Sequence, residues 1–75
     1  MAREVHHMGI QITIKAARIN ANLTQIQAAS RLGIDRTTLQ NYEKGATVPS
    51  WDMVHKMSRV YNLPFEVLVV RRESA

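Results

Sequence analysis

From Ile12 onward the apolar residues fall at Ile12, Ala16, Ile19 and Leu23, a spacing that lines one helical face and predicts a first helix ending near Ala21. Thr24 followed three residues later by Gln27 has the form of a capping box. A second helix is expected to start there and to bury Ala28, Ala29 and Leu32 before Gly33 ends it. The interval between Gly33 and Asp35 leaves no room for a loop. Asp35 is a good N-cap, so a third helix is predicted through Leu39 and Tyr42 to Gly45. After the short connection from Gly45 to Pro49, Ser50 caps a fourth helix with apolar positions Trp51, Val54, Met57 and Tyr61, ending at Asn62. Pro64 suits the first turn of a fifth, short helix carrying Phe65 and Leu68.

The expected fold is all-α. Residues 12–70 form one five-helix domain, preceded by a flexible N-terminal arm at 1–11 and followed by a polar tail at 71–75. With 75 residues the chain has room for one core and not two. The second and third helices meet at a tight turn containing a glycine, the arrangement that lays one helix across a phosphate backbone and the next in a major groove. Ala28 and Ala29 are small where such helices cross, Ile34 anchors the turn, and Leu39 and Tyr42 form the inner face of the third helix. Its outer face keeps Arg36, Thr37, Gln40 and Asn41, hydrogen-bonding groups with no apolar interruption, suited to base edges. The plainer reading of Arg36 is a solvated surface residue. Thr37 and Thr38 each carry a methyl and a hydroxyl, which suit a thymine methyl, a phosphate or a helix cap with Asp35. Tyr42 and Trp51 are expected to be core rings.

Composition adds direction. Ten Lys and Arg against six Asp and Glu give a formal charge of +4, and the isoelectric point is near 10.1. Such a balance suits a polyanionic partner, although it also serves solubility. No cysteine is present, which removes disulfides, thiolate nucleophiles and sulfur-bound zinc together. His6 and His7 are adjacent on the arm and His55 stands on another helix, so no metal set is read. No nucleophile–base pair or carboxylate pair has workable spacing, so an enzyme is not expected and no cofactor or small-molecule ligand is implied. Met1 to Met8 is polar, and the apolar stretch from Leu63 to Val70 is short and broken by Pro64 and Glu66. A cytoplasmic protein without a membrane partner is therefore the expectation.

Residues from Ile14 to Leu68 resemble the lambda-repressor-like helix-turn-helix family, which includes the phage Cro and repressor proteins and the Xre regulators. The matching features are Thr24-Gln25, Ala29, Leu32-Gly33-Ile34, Leu39, Tyr42-Glu43-Lys44-Gly45, Pro49-Ser50 and the Leu63 to Leu68 ending. The resemblance implies that Gln25 touches a phosphate and braces Arg36, and that Arg36, Thr37 and Asn41 read base edges, with Gln40 more variable in role. It further implies an internal ion pair between Arg18 and Glu43. Lys44, Ala46 and Thr47 then lie near the sugar-phosphate backbone, where Thr38 is also a candidate. Ala28 departs from the family pattern by replacing a common leucine, and Ile26 by replacing a common charged residue. The loop from Gly45 to Pro49 lacks the basic residues of many relatives, which lowers its expected share of backbone affinity.

The function expected is sequence-specific binding of double-stranded DNA by a small transcriptional regulator, the third helix reading a palindromic operator. The alternative is a protein-interaction module on the same fold, antitoxin-like or an adaptor. Such a module should show an apolar or acidic outer face on the third helix, which Arg36, Thr37, Gln40 and Asn41 do not supply. A homodimer, at least on DNA, is expected because Phe65, Val67, Leu68, Val69 and Val70 exceed what one short helix buries against its own domain.

Overall fold

Four side-chain caps decide where the helices begin. The Thr13 and Thr24 hydroxyls each accept at 3.1 Å, from the N–H groups of Ala16 and Gln27. The Asp35 carboxylate accepts from Thr38 N–H at 3.0 Å, and the Ser50 hydroxyl from Met53 N–H at 3.2 Å. Each satisfies a backbone donor that a helix N-terminus leaves without a partner. At Thr24 the box closes, since Gln27 Oε1 accepts from the Thr24 backbone N–H at 2.9 Å.

The computed structural model describes residues 11–69. Strand β1 (Ile12–Thr13) leads directly into α1 (Ile14–Asn20), followed by α2 (Gln25–Leu32), α3 (Arg36–Lys44) and α4 (Trp51–Val60). A single 3-10 turn (Phe65–Val67) and strand β2 (Leu68–Val69) complete the order. β1 and β2 pair in parallel, Ile12 opposite Leu68 and Thr13 opposite Val69. The expected arm at 1–11 and tail at 71–75 lie outside the described residues, Gln11 excepted.

The domain is all-α as expected apart from one two-residue strand pair, but the five-helix count is corrected, because the described residues hold four α-helices. Pro64 has ψ 142°, which keeps the entry to the expected fifth helix extended, and Leu68 has ψ 127°. Only one 3-10 turn fits between them. The β-branched Val67 and Val69 favour extended backbone, and pairing with β1 gives that backbone hydrogen-bond partners which a frayed helical turn would lack. The same pairing turns Ile12 and Thr13 into strand, so α1 starts two residues later than its apolar spacing suggests.

A second correction concerns the inner face of α1. Ile14, Ala17 and Arg18 are buried, whereas Ala16 and Ile19 are exposed, Ile19 by 54%. The face at Ile12, Ala16, Ile19 and Leu23 had left out an arginine. Arg18 is the side chain that fixes the rotation of the helix, because its charge finds a buried partner. Trp51 is likewise not a core ring: it is 69% exposed, at the solvent side of the first turn of α4.

The core lies between all four α-helices, with Ile14 and Ala17 of α1 among its buried residues. Leu32, Leu39, Val54, Met57 and Tyr61 are its fully buried larger side chains, each contributing roughly 1.5–3 kcal/mol by leaving water. Ala28 and Ala29, both buried, bring α2 close to its neighbours. Among the described residues no helix is long and apolar enough to cross a membrane.

Candidate nucleic-acid interface

The turn between α2 and α3 holds them at a fixed angle. Gly33 caps α2 with φ 75°, a left-handed conformation in which glycine has no Cβ to strain. Ile34 N–H then donates back to Ala29 C=O at 3.0 Å, and Asp35 starts α3 at once. Thr38 is engaged in this start. Hydrogen bonds from its side chain and then from its backbone N–H hold the Asp35 carboxyl below the usual aspartate range.

The outer face of α3 is polar along its length. Arg36 and Thr37 are exposed, and Gln40 and Asn41 are half-buried. Arg36 and Gln40 are one helical turn apart and share a face. Gln25, the first residue of α2, reaches across to both: its Oε1 accepts from Arg36 Nε and from Gln40 Nε2, each at 3.3 Å. Its Nε2 donates to Glu43 Oε1 at 3.1 Å.

Glu43 is the anchor beneath this row. Its Oε2 accepts from Arg18 Nε at 2.6 Å and its Oε1 from a second Arg18 nitrogen at 3.2 Å, a bidentate ion pair tying α1 to α3. Arg18 also donates to Leu23 C=O at 3.0 Å. The Arg18 and Glu43 side chains are only 10% and 4% exposed. The hydrogen bond to Glu43 raises the Arg18 pKa above its ordinary value, against the opposing effect of burial. Tyr61 lies within reach of the same charges. Burial first, and the Glu43 charge second, push its pKa up to about 12.

Of the residues the sequence nominates, Arg18, Gln25, Arg36, Gln40 and Glu43 are joined in one hydrogen-bonded network. Lys44, Ala46 and Thr47 are exposed around the C-terminal end of α3 and stand outside it. Ala46 N–H closes the helix end on Asn41 C=O at 2.9 Å, which leaves the Asn41 side chain free of capping duty. Lys15 is a residue that the sequence reading passed over. It is exposed in the first turn of α1 and lines an open hollow of about 280 Å³ with Gln25, Gln40, Glu43 and Lys44. The signal for it was present: Lys15 precedes Arg18 by three residues, and residues three apart on a helix share a face. The Arg18–Glu43 match therefore carries Lys15 to the same side. Among the described residues no group of His, Asp and Glu is placed to hold a metal ion.

Similarity to known proteins agrees with this geometry. The helix-turn-helix family profile matches residues 14–68. The chain is 35% identical over 66 residues to the HTH-type transcriptional regulator ImmR of Bacillus subtilis, covering 88% of this chain and 52% of ImmR. It is 37% identical over 57 residues to an uncharacterized HTH-type transcriptional regulator of Archaeoglobus fulgidus, covering 76% of this chain and 80% of that protein. To the cryptic phage CTXphi transcriptional repressor RstR of Vibrio cholerae it is 31% identical over 61 residues, 81% of this chain and 55% of RstR. The chain thus spans about half the length of ImmR and RstR. No solved structure matches it. With the profile covering all four α-helices and the turn between α2 and α3 in place, the chain belongs to the helix-turn-helix family of Cro- and Xre-like proteins.

Proposed function

We propose that this chain acts as a small transcriptional regulator that binds double-stranded DNA sequence-specifically, with α3 in the major groove. The observation that carries the reading is the uninterrupted polar row Arg36, Thr37, Gln40 and Asn41, of which Arg36 and Gln40 are held from α2 by Gln25. The N-terminal residues of a recognition helix point toward base edges, which assigns the deepest contact to Arg36. Thr37, Gln40 and Asn41 follow along the groove. Gln25, Thr38, Lys44 and the loop at Ala46 and Thr47 then meet the sugar-phosphate backbone, and Lys15 joins them from α1. The names of ImmR and RstR, a regulator and a repressor, support the same reading. A protein-interaction module would carry an apolar or acidic row on α3, and neither is found there.

One helix offers too few base contacts for strong discrimination, so the reading includes two copies on a palindromic operator. Val67 and Leu68, both expected to contribute to that dimer, are buried in their own domain. The exposed large apolar side chains among the described residues are Ile19, Ile26, Val48 and Trp51; Val48 and Trp51 line one hollow and Trp51 packs on the half-buried Phe65, which makes that patch the candidate for a second copy. Selection of bound duplexes from random DNA, followed by sedimentation of the complex, tests both parts. An inverted repeat with half-sites about one helical turn apart and a 2:1 complex are expected. A 1:1 complex on the best duplex removes the dimer, and failure to enrich any sequence removes specific binding.

A further inference from the structure

The Gln25 amide has one arrangement that satisfies its surroundings. A carboxamide oxygen has two acceptor sites and its nitrogen two donor hydrogens. Here the oxygen takes Arg36 and Gln40, and one hydrogen of the nitrogen goes to Glu43. Turning the amide over would set its oxygen against the Glu43 carboxylate and its NH2 against two donors. Glu43 is itself fixed by Arg18, on a side chain only 4% exposed. The orientation of Gln25 is therefore set from α1, through Arg18 and Glu43, before any DNA arrives.

Arg36 and Gln40 donate to the same oxygen at the same distance of 3.3 Å, and neither has another side-chain partner among the described residues. When one donor leaves for a base edge, the oxygen serves the other alone. We infer that Gln25 is a specificity-coupling residue: it links the base choices of Arg36 and Gln40, so that the operator positions they face are not read independently. This rests on the proposal that both residues face base edges. The second hydrogen of Gln25 Nε2 has no protein partner among the described residues and remains free for a phosphate, so DNA docking can tighten the brace without breaking it.

The test is a double-mutant cycle on DNA. Affinities of Arg36→Ala, Gln40→Ala and the double variant are measured for the selected operator and its single-base variants, in the parent and in Gln25→Ala. Gln25 is half-exposed and opens a helix, so alanine there is compatible with folding. In the parent, the double variant should depart from the product of the single losses by about 5-fold, the size expected for side chains sharing a partner. The base preference at the Arg36 position should change when Gln40 is removed. In Gln25→Ala both effects should vanish and the losses should multiply. If each single variant relaxes one base position but the losses multiply in the parent as well, the coupling is overturned while base reading stands. If neither single variant changes any base preference, base reading itself fails and the coupling falls with it. A coupling that persists unchanged in Gln25→Ala also overturns the role of Gln25, since it must then run through the DNA.

Discussion

Arg18 and Glu43 stand 25 residues apart in sequence, yet the arginine grips both carboxylate oxygens, at 2.6 and 3.2 Å. This pair ties α1 directly to the helix that carries the groove-facing row. Removing one partner leaves a buried charge without compensation, which costs about 3 kcal/mol or more, whereas an exposed pair is worth about 1 kcal/mol or less. Glu43→Gln should therefore lower the unfolding free energy by about 3 kcal/mol. Urea unfolding checks this, and an unchanged midpoint would mean that the pair contributes nothing net to stability.

Tyr61 offers a separate test. Its ring is 1% exposed, and its hydroxyl has no hydrogen-bond partner among the described residues. An unsatisfied buried polar group costs about 1–3 kcal/mol, so Tyr61→Phe should hold or raise stability, by up to about 1 kcal/mol. The same residue predicts a pH effect. Its folded pKa of about 12 lies above the ordinary 10.0, so the folded state holds the proton more tightly than the unfolded chain. The contribution is fully present below pH 10.0 and is lost as the pH rises toward about 12. Stability measured across that window should fall in the parent and fall less steeply in Tyr61→Phe. Parallel curves would contradict the assignment.

Gly33 sets the angle between α2 and α3 with φ 75°. An added Cβ would sit 3.4 Å from Lys56 Nζ, the end of a flexible side chain, so space is not the obstacle. The left-handed backbone is, at about 1–2 kcal/mol for a residue with a Cβ. Gly33→Ala should lose that much in urea unfolding with an unchanged m-value. A loss under about 0.3 kcal/mol would show that the turn relaxes at little cost, against the expectation for an L-residue there.

Helix boundaries were legible in the sequence wherever a cap carried them. Thr24 with Gln27, Asp35, Ser50 and the glycines at 33 and 45 mark ends that the structure reproduces, because capping is a local event between neighbouring residues. What depended on distant partners was harder to see. The strand at Leu68–Val69 exists only because Ile12–Thr13 lies beside it, and local pattern does not contain that pairing. α1 was assigned the wrong face because a buried arginine looks like a surface residue until its partner on α3 is placed. Trp51 was expected inside from its place in the apolar spacing of the fourth helix, yet it stands exposed at the first turn of α4, where it meets Phe65 at 5.3 Å between ring centroids. At the candidate site, the residue types on α3 were readable from spacing and resemblance. The sharing of Gln25 between Arg36 and Gln40 was not, since it depends on the crossing of two helices.

Whether α3 reads bases through Arg36 is decided by comparing Arg36→Ala with Lys44→Ala. The Arg36 guanidinium can donate two parallel hydrogen bonds to one guanine, worth about 1–3 kcal/mol of discrimination. Lys44, exposed at the last turn of α3, should instead meet a phosphate, where attraction ignores sequence and weakens with salt. Both variants are to be titrated against the selected operator, its single-base variants and unrelated DNA at several salt concentrations. Lys44→Ala should weaken every duplex alike and lower the salt slope by roughly 1. Arg36→Ala should lose affinity mainly for the preferred operator and accept other bases at one position of each half-site. If Arg36→Ala instead weakens every duplex by the same factor, Arg36 is a backbone anchor and the account of base reading by this residue is wrong.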